Sequence, residues 1–394
     1  MTASPAILIG ASIPRSGHHF LERTLQRYFG ARLHYCEFYT PRQCCRQVPC
    51  TKRGDFDIIF QKNHDHDMAL DPAIPGVTYV IQHRHPVPNM ASGWELSSKP
   101  GIGAVSAEYR ATRDHFAWWL ARRAIYYRRF HDKWVVRHPA NAIRIDYDDL
   151  RRDTAGQVAA LIRAVGDAVD EPRLARAVAA AGAVRATAGE PFTPRQVDVA
   201  ALPCPHLAAA FEDHVLRHGP AFGYAPMLGG GYEGSLLQGL ILAFDPEEPL
   251  PPRFASREEA IEALAGRHPE MRLRRARALL DARQPAEAAA LLEALLADSP
   301  HFSAAWHPLF RAWREAGQPP RSAMVTAEAA LGAMHDPGAV LAMATHWRDE
   351  GRLLPAAAAL HAAIGLHPPR AALHAMLATV LEALGRRPAS IAQA

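Results

Sequence analysis

Lysine is almost missing from this 394-residue chain: Lys and Arg together number 44, and only Lys52, Lys62, Lys99 and Lys133 are lysine. An arginine keeps its charge in nearly any setting, whereas a lysine ammonium is a compact charge that shifts readily on burial. Each remaining lysine is therefore a place to look for chemistry. Long apolar runs are also absent. The best candidate, Leu236–Phe244, falls well short of the roughly 18 residues of a spanning helix, so no membrane span is expected. The first residues lack the basic start and cleavage site of a signal peptide, which predicts a cytoplasmic protein. No basic stripe is present, and a net charge of +4 argues against a dedicated nucleic-acid binder. That balance suits a protein that holds one polyanionic small molecule. Cysteine is scarce except in one place, where Cys36, Cys44, Cys45 and Cys50 crowd into fifteen residues. A disulfide framework does not suit a reducing compartment, and a zinc site, with His34 nearby, lacks the usual CxxC pair. Buried thiols, a metal or disulfide, and a reactive thiol all stay open for this cluster.

What is present divides into two textures. Up to residue 228, short apolar runs at Ala6–Ser12, Asp57–Gln61, Thr78–Gln82 and Ala142–Tyr147 read as buried strands. Helical patterns lie between and after them at His18–Tyr28, Ala107–Val135 and Thr154–Val165. Strands alternating with helices predict an α/β domain with a mainly parallel sheet, whose anionic ligands sit where strands end and helices begin. Residues 229–255 are rich in Gly and Pro and read as a linker. A chain ending near Gly230 is accordingly expected to fold alone. Residues 256–394 are Ala/Leu-rich and helical, with Gly317, Gly351 and Gly385 recurring at intervals of 34 and Arg283 in the preceding slot. Helices are expected to stop at Pro300 and Pro368, with one copy ending out of phase at Pro337. This period resembles tetratricopeptide repeats, which present concave surfaces to a protein partner or a second copy.

Four stretches of the first half carry chemistry. In "ILIGASIPRSGHHF" a strand feeds a tight turn and a helix, so unpaired N–H groups and the helix dipole face the turn. Arg15 adds a bidentate donor, Ser16 a hydroxyl, and Gly17 a close backbone approach. Six residues separate Gly10 from Gly17, and no Lys-Ser/Thr follows, so this is not the common triphosphate loop. In "IFQKNHDHD", Lys62 and His64 lie two apart at a strand end, a spacing that sends both to one side. A neutral imidazole accepts a hydroxyl proton, and an ammonium stabilises charge on a leaving oxygen. Arg84 and Ser92 flank what reads as a short turn after Pro86 and Pro88, and are placed to hold a second phosphate. "IRIDYDDLRRD" is a strand followed by an acidic turn.

Taken in order, these four resemble the sulfotransferases that use 3′-phosphoadenosine 5′-phosphosulfate. The resemblance covers about residues 5–226. It rests on Pro14-Arg15-Ser16-Gly17-His18-His19-Phe20, on Lys62 and His64 as K-x-H, on the Arg84…Ser92 spacing, on Tyr147-Asp148-Asp149-Leu150, and on "AFGYAP" at Ala221–Pro226. It implies that Arg15, Ser16, Gly17, His18, His19 and Phe20 hold the 5′-phosphosulfate, with Arg84 and Ser92 on the 3′-phosphate and Tyr147 beside the nucleotide. Lys62 and Arg15 would stabilise the leaving oxygen and His64 would be the base, with no metal required. The acceptor hydroxyl would belong to a saccharide or glycoconjugate, because the RKGxxGxW segment of the small-molecule enzymes is missing. Two histidines replace the family's Thr-Thr pair. Asp65, His66 and Asp67 stay open as rival bases, since carbohydrate-directed relatives often use a glutamate. Phe116, Trp119, Leu120, Arg123, Tyr127 and Phe130 share a helix face that either packs the core or stacks a sugar. Ser97–Ser106, with Lys99, reads as a loop able to close over the donor. The competing functional readings are a P-loop-type kinase and a non-catalytic repeat scaffold.

Overall fold

The computed structural model describes residues 5–39, 45–52, 56–97, 107–183, 202–300, 302–317, 337–366 and 371–385. Cys44, Lys99 and the rest of the expected closing loop, 98–106, lie outside them. The chain forms two compact units, one from 1–95 with 120–235, the other from 96–119 with 236–394.

The first unit is built on five parallel strands, β1 (Ala6–Ser12), β2 (Leu33–Glu37), β3 (Ile58–Asn63), β4 (Val77–His83) and β5 (Ala142–Asp146), in the order β2-β3-β1-β4-β5. Strand alternation gives the sheet two apolar faces. Leu8, Phe60 and Val80 join a core with Leu21, Leu25 and Phe29 of helix α1 (His18–Phe29). Tyr79, on the opposite face, packs against Trp134 at 5.3 Å between ring centres.

Helices α2 (Pro86–Ser97) and α3 (Arg113–Phe130) follow β4. The expected turn between Arg84 and Ser92 is thus a helix. Pro86 occupies its first position, where a missing N–H costs nothing, and the His85 Nδ1 accepts from the Val87 N–H at 3.2 Å. The single helix expected over Ala107–Val135 is interrupted. Ala107–Arg110 is one helical turn, and the Thr112 hydroxyl donates to the Tyr109 carbonyl while accepting from the His115 N–H, so α3 starts afresh. A π-helical turn, His131–Val136, follows α3. After β5, the acidic turn forms helix α4 (Tyr147–Arg152), capped by the Asp146 carboxylate through the N–H groups of Asp148 and Asp149. Helices α5 (Thr154–Ala164), α6 (Glu171–Ala183) and α7 (Pro205–His218) complete the unit.

The second unit is helical: α8 (Leu236–Phe244), α9 (Arg257–Ala265), α10 (Pro269–Asp281), α11 (Pro285–Asp298), α12 (Trp306–Glu315), α13 (Pro337–Asp349), α14 (Leu353–Leu366) and α15 (Ala371–Ala383). Helix α8 lies inside the Gly/Pro-rich stretch, where Arg257 also donates to the carbonyls of Leu242, Asp245, Pro246 and Glu248. Helices α10, α12, α13 and α15 end 34 residues apart, and each is followed by a left-handed residue: Arg283 (φ 60°), Gly317 (71°), Gly351 (73°) and Gly385 (71°). Pro337 opens α13 rather than ending a copy. Residues 96–119 join this unit: Tyr109 is buried in its core against Phe302, and the His268 Nε2–H donates to the Asp114 carbonyl at 2.9 Å. Among the described residues, no helix is long and apolar enough to cross a membrane.

Candidate active site

All five strands point the same way, so their carboxyl ends bring Glu37, Ser12, His64, Arg84 and Tyr147 to one edge of the sheet. The first of these ends is the turn from β1 into α1. Arg15 (φ 75°) and Gly17 (φ 85°) both take left-handed backbone. For Arg15 this is a strained state of the kind found at ligand sites. Gly17 has a second reason to be glycine: a Cβ there would meet the Tyr147 ring at 2.6 Å. Asn89 and Arg123 hold the turn from below. The Asn89 Nδ2 donates to the Pro14 carbonyl at 2.9 Å and to the Ser16 hydroxyl at 3.2 Å, and Arg123 Nη2 donates to the same carbonyl and to Asn89 Oδ1.

Two guanidiniums gather at this turn. Arg15 Nε donates to the Ser92 hydroxyl at 3.0 Å, across 77 residues of chain. Arg84 lies over the Tyr147 ring, 4.2 Å from its centre, and its Nη1 reaches the Arg15 carbonyl at 3.4 Å. Burial pulls the Arg84 pKa below its usual value, its Nε is buried without a partner, and no carboxylate among the described residues lies within ion-pair distance of Arg15 or Arg84. Desolvated guanidinium without an acid beside it is costly, and an anion would relieve that cost. Neighbouring His83 is clamped by the AFGYAP segment: Tyr224 donates to Asp146 Oδ2 at 2.6 Å and lies 2.5 Å from His83 Nδ1. Burial pushes the Asp146 carboxyl up, but hydrogen bonds from His83, Tyr224 and the Asp148 backbone outweigh it and bring the pKa to about 2.

The third strand end carries Lys62 and His64. Lys62 is buried, paired with Glu37 in the matching register position on β2, and its Nζ lies 3.2 Å from His19 Nε2. His64 Nδ1 donates to the Ser12 carbonyl at 2.8 Å, so the lone pair belongs to Nε2, the form a base requires. Burial lowers the His64 pKa to about 3 and keeps the ring neutral at physiological pH. Tyr126 donates to the His64 carbonyl, and the half-exposed Tyr39 ring stacks on the imidazole at 6.1 Å.

The expected site residues therefore gather in large part. Arg15, Ser16, Gly17, His19, Arg84, Ser92 and Tyr147 surround the α1 N-terminus, with Lys62 and His64 beside His19. His18 points elsewhere. Its ring is buried, stacked 4.9 Å from Phe60, with Nδ1 on Gln82 Oε1 at 3.0 Å, which leaves its backbone N–H as its contribution to the turn. Phe20 packs toward the core. Asp65 is excluded as a base because its carboxylate accepts from Lys133, the Trp134 indole and the Leu70 N–H. Of the helix face considered for sugar stacking, Phe116, Leu120, Tyr127 and Phe130 are fully buried. The residues sequence reasoning missed are Glu37, Asn89 and Tyr39. Glu37 became visible only through strand pairing, and nothing short of that pairing marks it.

Compared with known proteins, the chain matches no family model and no curated protein.

Proposed function

We propose that the α/β unit is a sulfotransferase that moves a sulfuryl group from 3′-phosphoadenosine 5′-phosphosulfate to an acceptor hydroxyl. The observation that carries this reading is the pair of arginines without acid partners, Arg15 and Arg84, meeting at the N-terminus of α1. Two phosphate positions follow from it: the α1 turn with Arg15, Ser16, Gly17 and His19 for the 5′-phosphosulfate, and Arg84 with Ser92 for the 3′-phosphate. Tyr147, already under Arg84, offers its ring to the nucleotide.

In the reaction, the acceptor oxygen forms a bond to sulfur as the bond between sulfur and the bridging phosphate oxygen breaks. His64 Nε2 takes the hydroxyl proton, and adenosine 3′,5′-bisphosphate leaves. Lys62 and Arg15 stabilise the charge on the departing oxygen, and catalysis is chiefly positioning and electrostatics. Glu37 competes with His64 for the role of base, because it already touches Lys62. The Tyr39 ring beside His64 supports a saccharide or glycoconjugate acceptor. The helical unit, with its 34-residue period, is read as a tetratricopeptide-like surface for a protein partner.

The donor is tested by thermal shift. Adenosine 3′,5′-bisphosphate at a hundredfold excess over its dissociation constant adds about 2.7 kcal/mol of stability and raises Tm, while ATP–Mg²⁺ leaves Tm in place. A shift with ATP–Mg²⁺ alone would transfer the site to the kinase reading, and no shift with either would favour the scaffold. A labelled-donor screen of glycans then identifies the acceptor.

A further inference from the structure

The cysteine cluster stands apart from the proposed sulfuryl-transfer chemistry. Cys36 lies on β2, the edge strand, and Cys45 and Cys50 lie on the segment between β2 and β3. Their three sulfurs lie within 4.8 Å of one another, with Cys36 and Cys50 fully buried and Cys45 half-buried. Ile59 and the side chain of Gln61 back them from β3.

Several donors face the sulfurs of the cluster, while the Cys45 thiol itself points to the Gln47 carbonyl at 3.6 Å. Gln61, fully buried, places its Nε2 3.7 Å from Cys36 Sγ while donating to the Gln47 carbonyl at 2.7 Å. Its Oε1 accepts from the Cys50 N–H at 3.0 Å, so one amide ties Cys36 of β2 to Gln47 and Cys50 of the segment. Backbone groups of Thr51 and Lys52 hydrogen-bond the sulfurs of Cys45 and Cys50. Such donors to sulfur orient metal-bound thiolates and reduce their charge.

Two chemistries could use this convergence, and the number of sulfurs separates them. A disulfide needs sulfurs about 2.05 Å apart and engages two of them. Here Cys45 Sγ and Cys50 Sγ are 3.5 Å apart, and a third sulfur belongs to the same group. A tetrahedral zinc with bonds of about 2.3 Å holds its sulfurs about 3.8 Å apart; the Cys45–Cys50 pair at 3.5 Å is close to that, and all three sulfurs lie within 4.8 Å. Three thiols also suit a soft, thiolate-preferring ion better than calcium or magnesium, which take oxygen ligands.

We propose that Cys36, Cys45 and Cys50 form a three-thiolate site for a zinc ion that pins residues 45–52 to the edge of the sheet. Binding converts three thiols to thiolates, and their protons pass to solvent, so uptake is pH-dependent. With three thiolates from the chain, the fourth position of the tetrahedron would fall to a water. The role is structural: closing the site ties the segment to β2, next to Glu37 and so next to the Lys62 pair.

The test uses the full chain, purified reduced and free of metal, then incubated with zinc and desalted. About one zinc per chain should remain, and removing it with a chelator should lower Tm reversibly. Cobalt in place of zinc should give the thiolate-to-metal charge-transfer and visible bands of a tetrahedral sulfur-rich site. Cys36→Ser and Cys50→Ser should each weaken zinc by at least about tenfold, whereas Cys204→Ser, outside the cluster, should not. Failure of the wild-type chain to retain zinc, a cobalt spectrum without thiolate bands, or a Cys45–Cys50 disulfide formed in the presence of zinc would overturn the proposal. The wild-type measurements decide even where a serine variant folds poorly. None depends on the sulfotransferase reading.

Discussion

Arg84 is the residue on which the donor reading turns, because it is largely desolvated and no carboxylate among the described residues forms an ion pair with it. Arg84→Ala should weaken adenosine 3′,5′-bisphosphate by roughly 10- to 100-fold, the range of a charge-assisted phosphate contact, and should weaken a nucleotide lacking the 3′-phosphate far less. Titration calorimetry of both nucleotides checks this. The proton-transfer roles divide between His64 and Glu37. Lys62→Ala should cost about 10²-fold or more in turnover, as should substitution of whichever group is the base. His64→Ala inactive with Glu37→Gln active would assign the imidazole, and the opposite pattern would assign the carboxylate. His64 also links stability to pH. Its folded pKa of about 3 lies below the unfolded value of about 6.5, so the unfolded chain binds more protons between the two. This contribution is complete above pH 6.5 and is lost as pH falls toward 3. Melting at pH 5 should come well below melting at pH 7.5, and His64→Asn should reduce that difference; an unchanged slope would place the linkage on His18 or His19, which burial also lowers. At this scale the chain was legible wherever spacing alone brought groups together, as with Arg15 and Gly17 or Lys62 and His64. It was not legible at Glu37, whose meaning depends on which strand lies beside β3. It misled at His18, where an apolar neighbour, Phe60, captured an imidazole expected to face an anion.

Elements were easier to read than contacts. β1 is where its apolar run predicts, and β3, β4, β5, α1 and α5 differ from expectation only at their ends. β2 was hidden because it is five residues long, with Leu33 and Tyr35 turned to the α1 core and Cys36 turned the other way to the cysteine cluster. α2 was hidden by two prolines, which read as turn residues although the first turn of a helix tolerates them. The helical unit repays its periodicity best. Four helices end in phase and each is closed by a left-handed residue, but Arg283 fills that place where the other three have glycine. A side chain in this conformation costs about 1 kcal/mol relative to glycine. Arg283→Gly should therefore hold or raise stability, by up to about 1 kcal/mol, and Gly351→Ala should lower it by about the same amount. Urea unfolding of the two variants checks both signs, and opposite signs would remove the shared-turn account of the 34-residue period.

The whole molecule is divided differently from its composition. The Gly/Pro-rich stretch suggests a cut near Gly230, yet the helical unit also claims residues 96–119. Tyr109 is buried in that unit's core, Phe302 packs on its ring, and His268 holds the Asp114 carbonyl. A chain ending at Gly230 keeps Tyr109 and Asp114 and discards Phe302 and His268, which hold them. The apolar surface so uncovered favours association over a clean monomer. The boundary itself is also poorly suited to cleavage. Proteases need several residues of backbone free to unfold locally, and Arg257 occupies four carbonyls between Leu242 and Glu248. Two outcomes follow. Limited proteolysis should cut within residues 236–250 slowly, and Arg257→Ala should speed that cleavage. The chain ended at Gly230 should bind a hydrophobic dye and elute as aggregate, while the full chain does neither. A monodisperse shortened chain that still binds adenosine 3′,5′-bisphosphate with full affinity would mean that residues 96–119 fold without the helical unit, and that the two units are separable after all.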